Sequence, residues 1–338
     1  MSLDPTSWPL VWLIAAFIGL ALGILFAGTA LVRRADEIAE ITGISAALVG
    51  ALLLGATTSL PGTVLSVSAA WQGHAELAIS NAIGGILAQT FFLTVADLTY
   101  RRGNLEHAAA SISTLMQAAL LVAMLSLPLI AMTQPPITLW GVHPLSPLLV
   151  LAYVAGLRLT DRAERDPMWK PTPEVEEDDP EAELPDRAPW VIFLALALTA
   201  GVIGFALGEV AIALSLRTGV SQTAVGGVFT ATVTSLPELV TAVAAVRRGA
   251  LQLAVGGIIG GNAYDVLFLS FSDVAYRDGS LYHAFTDAHV LLLALGILMT
   301  SVLVLGMLKR DQSGPARIGF ESTIVLLLYI VSLARLFY

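Results

Sequence analysis

Two stretches of the chain carry the same pattern. Residues 55–90 read GATTSLPGTVLSVSAAWQGHAELAISNAIGGILAQT, and residues 232–266 read TVTSLPELVTAVAAVRRGALQLAVGGIIGGNAYDV. They lie within a longer repeat, in which residues 42–107 align without a gap on residues 218–283. Shared Ala, Gly and Leu could imitate a few matches between apolar segments, but would not place Pro, Asp, Tyr and His in register. Matched positions, 176 residues apart, include Thr58/Thr234, Ser59/Ser235, Leu60/Leu236, Pro61/Pro237, Gly73/Gly249, Asp97/Asp273 and Tyr100/Tyr276.

The composition is that of a membrane protein. Of the 338 residues, 56% are hydrophobic and only 13% are charged, which is too apolar for a soluble chain to cover its surface. Runs of about 20 apolar residues recur, each long enough to cross a bilayer as a helix. The predicted spans are 9–32, 42–70, 76–96, 108–133, 137–157, 189–214, 220–246, 251–274, 284–308 and 318–337.

The predicted fold is an all-α membrane protein of ten transmembrane helices, arranged as two inverted five-helix repeats with broken helices at the centre. Because five is odd, the second half must enter the membrane from the opposite side, and such repeats place a substrate site near the midplane. Residues 1–157 form the first repeat and residues 189–338 the second. Residues 158–188 form the predicted linker and include a run of eight acids, from Glu174 to Asp186, without an intervening base. With their five prolines they are typical of a solvated linker.

The basic residues predict the orientation. With the N-terminus outside, fourteen of the seventeen Lys and Arg residues fall in inside loops, as the positive-inside rule requires. Both termini are then expected outside the cell membrane, and the acidic linker in the cytoplasm. The chain has no cysteine, so a thiolate metal site is excluded. The expected partners are small inorganic cations and membrane lipid, and nucleic acid is not expected because the net charge is −9.

In each half a helix runs into Thr-Ser-Leu-Pro. Proline cannot donate a backbone hydrogen bond and blocks the carbonyl one turn earlier, so carbonyl groups near it need another partner within a bilayer. A simple kink is the structural alternative, but two symmetric breaks favour a binding role. Hard cations bind carbonyl and hydroxyl oxygens. The candidate metal ligands are Thr58, Ser59, Thr234 and Ser235.

Two acids lie in the middle of predicted spans. Glu238 follows the second proline, and Asp265 lies 27 residues later. A carboxylate at a helix centre costs at least ~2.5–3.5 kcal/mol and usually marks an ion pathway or a proton relay. Neither acid has a Lys or Arg within its span, so the pair is expected to bind a cation or a proton. The matched positions in the first half are Gly62 and Gln89, of which Gln89 offers an amide oxygen.

Other acids have structural interpretations. Asp97 and Asp273 each precede an arginine by four residues, which predicts helical ion pairs with Arg101 and Arg277. Glu209 is expected near the outer end of its span, where it snorkels towards water or attracts ions to an entrance.

These residues resemble the two signature repeats of the sodium/calcium exchanger membrane family, the calcium:cation antiporters, which have the form G-T-S-L-P-E followed by G-N-x-x-G-S-N. The resemblance covers both halves and implies alternating access with cations bound at the centre. By this resemblance Glu238 is the second-repeat carboxylate, and Asp265 is similar to the acid of the sodium-coupled branch. Thr58 and Thr234 resemble residues whose carbonyl groups contact ions.

The chain departs from the family pattern at five positions. Gly62 stands where the first-repeat glutamate belongs, and Gln89 replaces an asparagine. Gly85 and Gly261 stand where serines usually provide oxygen, and Gly257 replaces an asparagine. A site that gathers up to three acids in the family therefore has two here.

The expected function is secondary active cation antiport, with calcium exchanged against sodium or protons and no resident cofactor. One alternative is a monovalent-cation or magnesium exchanger with a weakened site. Another is a non-transporting membrane sensor or scaffold that retains the fold. An enzyme is not expected, because no nucleophile–base constellation lies at membrane depth.

Overall fold

A computed structural model describes residues 4–42, 55–100, 103–165, 188–309 and 319–337. Within these ranges the regular elements are helices, with one isolated β-bridge between Leu139 and Val142. The helices are α1 Leu10–Thr42, α2 Gly55–Thr58, α3 Leu60–Trp71, α4 Ala75–Thr99, α5 Leu105–Ala108, α6 Ile112–Thr133, α7 Leu145–Arg165, α8 Ala188–Thr218, α9 Gln222–Thr234, α10 Leu236–Arg248, α11 Leu251–Asp265, α12 Leu267–Ala275, α13 Asp287–Lys309 and α14 Phe320–Phe337, with short 3₁₀ turns at Pro5–Ser7 and Leu281–Ala284.

Seven helical segments of the described residues are long and apolar enough to cross a membrane. They become eight if α9 and α10, which meet at a bend of 43°, count as one broken span. The expectation of an all-helical chain with repeated apolar spans is therefore confirmed. The first part of the predicted span 42–70 lies outside the described residues. Its second part is α3, an apolar helix of 12 residues.

The predicted span 137–157 is displaced. Residues 139–142 form a tight turn, in which Trp140 and Gly141 have φ angles of 53° and 83°. The helix α7 begins only at Leu145 and continues to Arg165, so it extends into the segment predicted as linker. An apolar run does not by itself distinguish a turn from a helix. The rest of that linker, residues 166–187, lies outside the described part.

Two central helices are enclosed by the others. In α4, 89% of the span is buried, and in α11 with α12 the share is 78%. By contrast, only 17% of the α1 span and 22% of the α8 span are buried, and these two helices pack along each other at the periphery. Their outer faces are apolar, for example at Phe26 and Leu198, which are 70% and 71% exposed. Such faces suit contact with lipid.

Asp97 and Asp273, which are matched positions, make matched contacts. Each carboxylate accepts one backbone N–H from the loop after its own helix and a second from the segment that begins the last helix of the other half. The four donors are again 176 residues apart in pairs: Leu105 (2.9 Å) and Leu281 (2.8 Å), then Gly319 (3.1 Å) and His143 (2.7 Å). Each buried aspartate thus ties the two halves together.

The predicted Asp273–Arg277 ion pair is wrong. The Asp273 carboxylate is fully buried and is used by backbone donors, whereas the Arg277 guanidinium lies 5.2 Å from the centre of the Trp71 ring. A guanidinium would have to lose its water to reach the buried carboxylate, while backbone N–H groups are already there and need a partner. In the other half Arg101 lies outside the described residues.

Candidate cation site

Both halves break a helix at the same point. Ser59 and Ser235 have similar backbone angles, φ −82° and ψ −2° against φ −96° and ψ 3°. The helix restarts at the following leucine, so that Pro61 and Pro237 lie in its first turn, where a missing N–H is tolerated. As a result the two Thr-Ser corners project into the middle of the molecule, and all four of their side chains are buried.

Glu238 lies in the first turn of α10, directly after the second break. Its side chain is only 5% exposed, and both carboxylate oxygens are buried without a hydrogen bond from the described residues. The hydroxyl groups of Thr58 and Ser59, from the first half, are neighbours of this carboxylate. The break of one half therefore faces the acid of the other.

Asp265 and Gln89, which are matched positions, meet each other. Gln89 donates from Nε2 to Asp265 Oδ2 at 2.6 Å and to Ser235 Oγ at 3.3 Å. Glu238 and Ser59 are also close enough to influence Asp265 electrostatically. This contact joins α4 to the end of α11 and brings the second acid to the same place as the first.

Several oxygens of this cluster have no partner. Buried polar atoms are almost always hydrogen-bonded, and an isolated one is costly. The unpartnered and buried oxygens, among the described residues, are Oε1 and Oε2 of Glu238, Oδ1 of Asp265, Oε1 of Gln89 and Oγ of Ser59. Carboxylate, amide and hydroxyl oxygens are the donor set of a hard cation.

The two acids of the cluster have no basic partner among the described residues. In the described part of the chain neither Glu238 nor Asp265 has a Lys or Arg within ion-pair distance. No group of three or more His, Asp or Glu side chains in that part is arranged to hold a metal. With both acids ionised, the formal charge of the site is therefore −2, and its remaining ligands are neutral oxygens.

Two small residues leave room around these oxygens. A β-carbon placed on Gly85 would lie 3.6 Å from both Asp265 Oδ2 and Ser235 Oγ, and one placed on Gly261 would lie 3.4 Å from Gln89 Oε1. These are the two positions where the family pattern has serine. Here the space next to the oxygens stays free.

Gly62, the matched position of Glu238, faces an aromatic ring. A β-carbon placed on Gly62 would lie 2.9 Å from Cε2 of Phe268 and 3.4 Å from Oγ1 of Thr234. The Phe268 side chain is 3% exposed. The Phe268 ring therefore occupies the space that a side chain at position 62 would need.

A cavity of about 270 Å³ reaches the cluster from one end of the molecule. Glu238 and Thr58 line its inner part, and the exposed Arg33 and Arg248 also line it. Gly257 forms part of its wall, in a position where an added side chain would meet open space. Water and small ions can thus approach the site through this cavity, although the Glu238 carboxylate oxygens themselves are buried.

Asn81, a neighbouring polar residue, holds helices together. It accepts from Thr230 Oγ1 at 2.7 Å and donates to Ser66 Oγ at 2.9 Å and to the Gly62 carbonyl at 3.3 Å. All of its polar atoms are used. This network connects α3, α4 and α9 behind the break.

The structure thus brings Glu238, Asp265, Gln89, Ser59, Ser235 and Thr58 together, while Thr234 lies beside Gly62. Sequence reasoning missed Phe268 and the two arginines of the cavity. Phe268 lies three residues after Asp265, a spacing that could have directed attention to it. Arg248 could have been found as the matched position of Gln72, but neither spacing says what the side chain contacts.

The family model of the sodium/calcium exchanger protein matches residues 12–157 and 188–338. The chain belongs to this family. The expected resemblance is confirmed, and the apolar helices together with the family establish a multi-pass integral membrane protein.

Individual relatives are similar over most of their length. The putative antiporter CaxA of Alkalimonas amylolytica is 28% identical over 327 residues, which are 89% of this chain and 92% of the relative. The crystal structure of an H+/Ca2+ exchanger, CAX, has a TM-score of 0.68 at 17% identity and covers 95% of this chain and 82% of that one. A structure of the sodium-calcium exchanger NCX_Mj has a TM-score of 0.61 at 20% identity, with coverage of 96% and 99%. At these low identities, the structural likeness shows that the fold is shared and nothing more.

Proposed function

We propose that this protein is a secondary active antiporter that exchanges calcium for sodium or protons. The observation that carries the proposal is the cluster between the two helix breaks, where two buried acids and two neutral side chains leave five oxygens without partners. An unpaired charge at this depth is costly and is kept where it binds an ion. The family and the exchangers among the similar proteins support the same activity.

The proposed architecture is ten spans in two inverted repeats. It is supported by the matched backbone of the two breaks and by the matched contacts of Asp97 and Asp273. Transport then proceeds by rocking of the peripheral helices, including α1 and α8, against a core that holds the breaks. By the distribution of basic residues, the protein lies in the cell membrane with both termini outside, and the cavity opens to the cytoplasm.

The chemistry of the site is exchange of ligands for water. A divalent cation is neutralised by the Glu238 and Asp265 carboxylates, and amide and hydroxyl oxygens replace part of its hydration shell. Protons or sodium ions neutralise the same carboxylates when calcium leaves. The cations are cargo, and the proposal includes no resident cofactor and no catalysed reaction.

The test is ion flux in proteoliposomes, with calcium inside and sodium, proton, potassium and magnesium gradients imposed separately. Glu238→Gln should reduce exchange by at least a hundredfold, because a neutral amide cannot neutralise the cation, while the protein still folds. Asp265→Asn should weaken exchange or change the coupling ion. Glu37→Gln, the same change at a half-exposed site that pairs with Arg34, serves as the matched control. Full flux in Glu238→Gln would place transport elsewhere.

A monovalent-cation exchanger is the second candidate, because Gly62 and Phe268 remove one carboxylate that would favour divalent ions. Sodium–proton exchange that is insensitive to calcium would identify it in the same experiment.

A further inference from the structure

We infer that the Phe268 ring takes the place of a missing first-half ligand, so that the site holds two positive charges at a time and exchange is electroneutral: one divalent ion for two monovalent ions. The inference rests on the proposed antiport and concerns its coupling.

The first step is the geometry at Gly62. An added β-carbon there would be pressed against the Phe268 ring. The ring is held from behind, since it packs edge-on to Tyr264 at 6.1 Å, and Tyr264 packs in turn on Tyr153 at 5.9 Å. These edge-on aromatic rings occupy the space that a side chain at position 62 would enter.

The second step concerns the matched positions in the other half. Glu238 corresponds to Gly62, and Phe92 corresponds to Phe268. The matched pair therefore combines a glutamate of the second half with a phenylalanine of the first half, at the same register. The presence of a phenylalanine alone does not exclude an acid. The absence of a side chain at position 62 is what allows the Phe268 ring to fill the space.

The third step is the charge balance. The site contributes Glu238 and Asp265, with no basic side chain of the described residues within ion-pair distance of either, and Gln89 is neutral. A net charge in a closed, dehydrated site is strongly unfavourable. The states that cross the membrane are therefore those in which the cargo carries two positive charges. One calcium ion satisfies this condition, and so do two protons or two sodium ions, but three monovalent ions do not.

The consequence is that a complete cycle moves no net charge. The membrane potential then neither drives nor opposes calcium movement. A cycle that moved one unit charge would instead change the equilibrium calcium ratio by about fifty-fold for every 100 mV. This difference in the calcium ratio is large enough to distinguish electroneutral exchange from exchange that moves one charge per cycle.

The experiment uses the full chain in proteoliposomes at a fixed coupling-ion gradient, with the potential set by potassium and valinomycin. The calcium ratio is measured when net flux has stopped. We expect the same ratio, within twofold, at 0 and −100 mV. A shift of about fifty-fold with flux that Glu238→Gln abolishes would overturn electroneutral coupling and leave the antiport intact. The absence of calcium flux under every gradient would overturn the antiport and this inference with it.

A second measurement tests the ring itself and needs no transport. The melting temperature in detergent is compared for Gly62→Glu, Phe268→Ala and the double variant. If the ring occupies the space, the damage caused by Gly62→Glu is much smaller when Phe268 is alanine, so the two changes are not additive. Additive changes would show that the ring does not take the place of the ligand, and would overturn the inference.

Discussion

The two ends of the molecule carry side chains of opposite chemistry at matched positions. At one end Gln72 donates to the Glu209 carboxylate at 2.5 Å and so connects the end of α3 to α8. At the other end the matched positions are Arg248 and Arg33, which line the cavity that reaches Glu238. An amide and a carboxylate can bond across a gap, whereas two guanidinium groups repel each other. The difference shows how one repeated fold can be held together at one end and open at the other.

The same contrast holds at the centre. Both acids of the site come from the second half, and the first half contributes Gln89 and the bare backbone of Gly62. The two glycines at the turns after the breaks, Gly73 and Gly249, keep nearly equal φ angles of 82° and 83°, a region that favours glycine. Backbone geometry is thus repeated in the two halves, and charge is not.

The largest effect is expected where the two halves are tied together. Asp273 accepts hydrogen bonds from His143 N, Ser146 Oγ and Leu281 N at 2.7–2.8 Å. Asp273→Asn places an NH2 group against donors and should cost about 2–5 kcal/mol, measured as a lower melting temperature in detergent.

Asp97→Asn is the matched variant, and it should lower the free energy of unfolding clearly less than Asp273→Asn does. The charge of Asp97 raises the pKa of its buried neighbour Glu106, so removing that charge also lessens the cost of keeping Glu106 protonated in the folded protein. An equal or larger loss for Asp97→Asn would contradict this account of the two ties.

The second prediction places the side chains of the Gln72–Glu209 end at the matched positions of the cavity end. Arg33→Glu with Arg248→Gln gives the cavity end the pair that Glu209 and Gln72 form at the other end. We expect the cavity end to close more often in this variant. With Gly257→Cys as a reporter, the thiol should then react about ten times more slowly with an impermeant reagent, a difference of about 1.4 kcal/mol. The natural chain has no cysteine, so labelling reports this position alone.

The control is Arg33→Gln with Arg248→Gln, which removes the repulsion without adding a carboxylate. Its labelling rate should lie between those of the other two proteins. Unchanged or faster labelling in the exchanged pair would mean that these side chains do not govern access.

The sequence repeat predicted those features of the structure that depend on residues close together in the chain within one half. Both breaks at Thr-Ser-Leu-Pro and the central position of Glu238 follow from local rules, namely the missing proline N–H and the cost of a buried charge. Contacts between the halves do not follow from such rules. Spacing predicted Arg277 as the partner of Asp273, but backbone donors up to 130 residues away took its place. Similarly, nothing in the register of Gly62 indicates that Phe268 fills the space beside it.

The third comparison, whose effect is gradual along the pH scale, concerns the matched positions Glu106 and Tyr282, which lie in short helical turns between spans. The Glu106 side chain is fully buried, and its Oε1 accepts from Ser322 at 3.1 Å. Burial, followed by the charges of Asp97 and Glu321, raises the pKa of Glu106 to about 8. Burial also raises the pKa of the Tyr282 phenol above its usual range, so that this group stays neutral at ordinary pH.

The pH dependence of stability follows from this difference. The folded protein keeps the Glu106 proton up to about pH 8, while the unfolded chain loses it near the ordinary glutamate pKa of about 4.3. Between these values the native state binds more protons, so stability is greatest at low pH and falls as pH rises, by at most about 1.4 kcal/mol per pH unit. Glu106→Gln should flatten the melting temperature between pH 5 and 8, and Tyr282→Phe should leave its slope unchanged. A wild-type melting temperature that rises over this range, or an equal effect of the two variants, would contradict the assignment to Glu106.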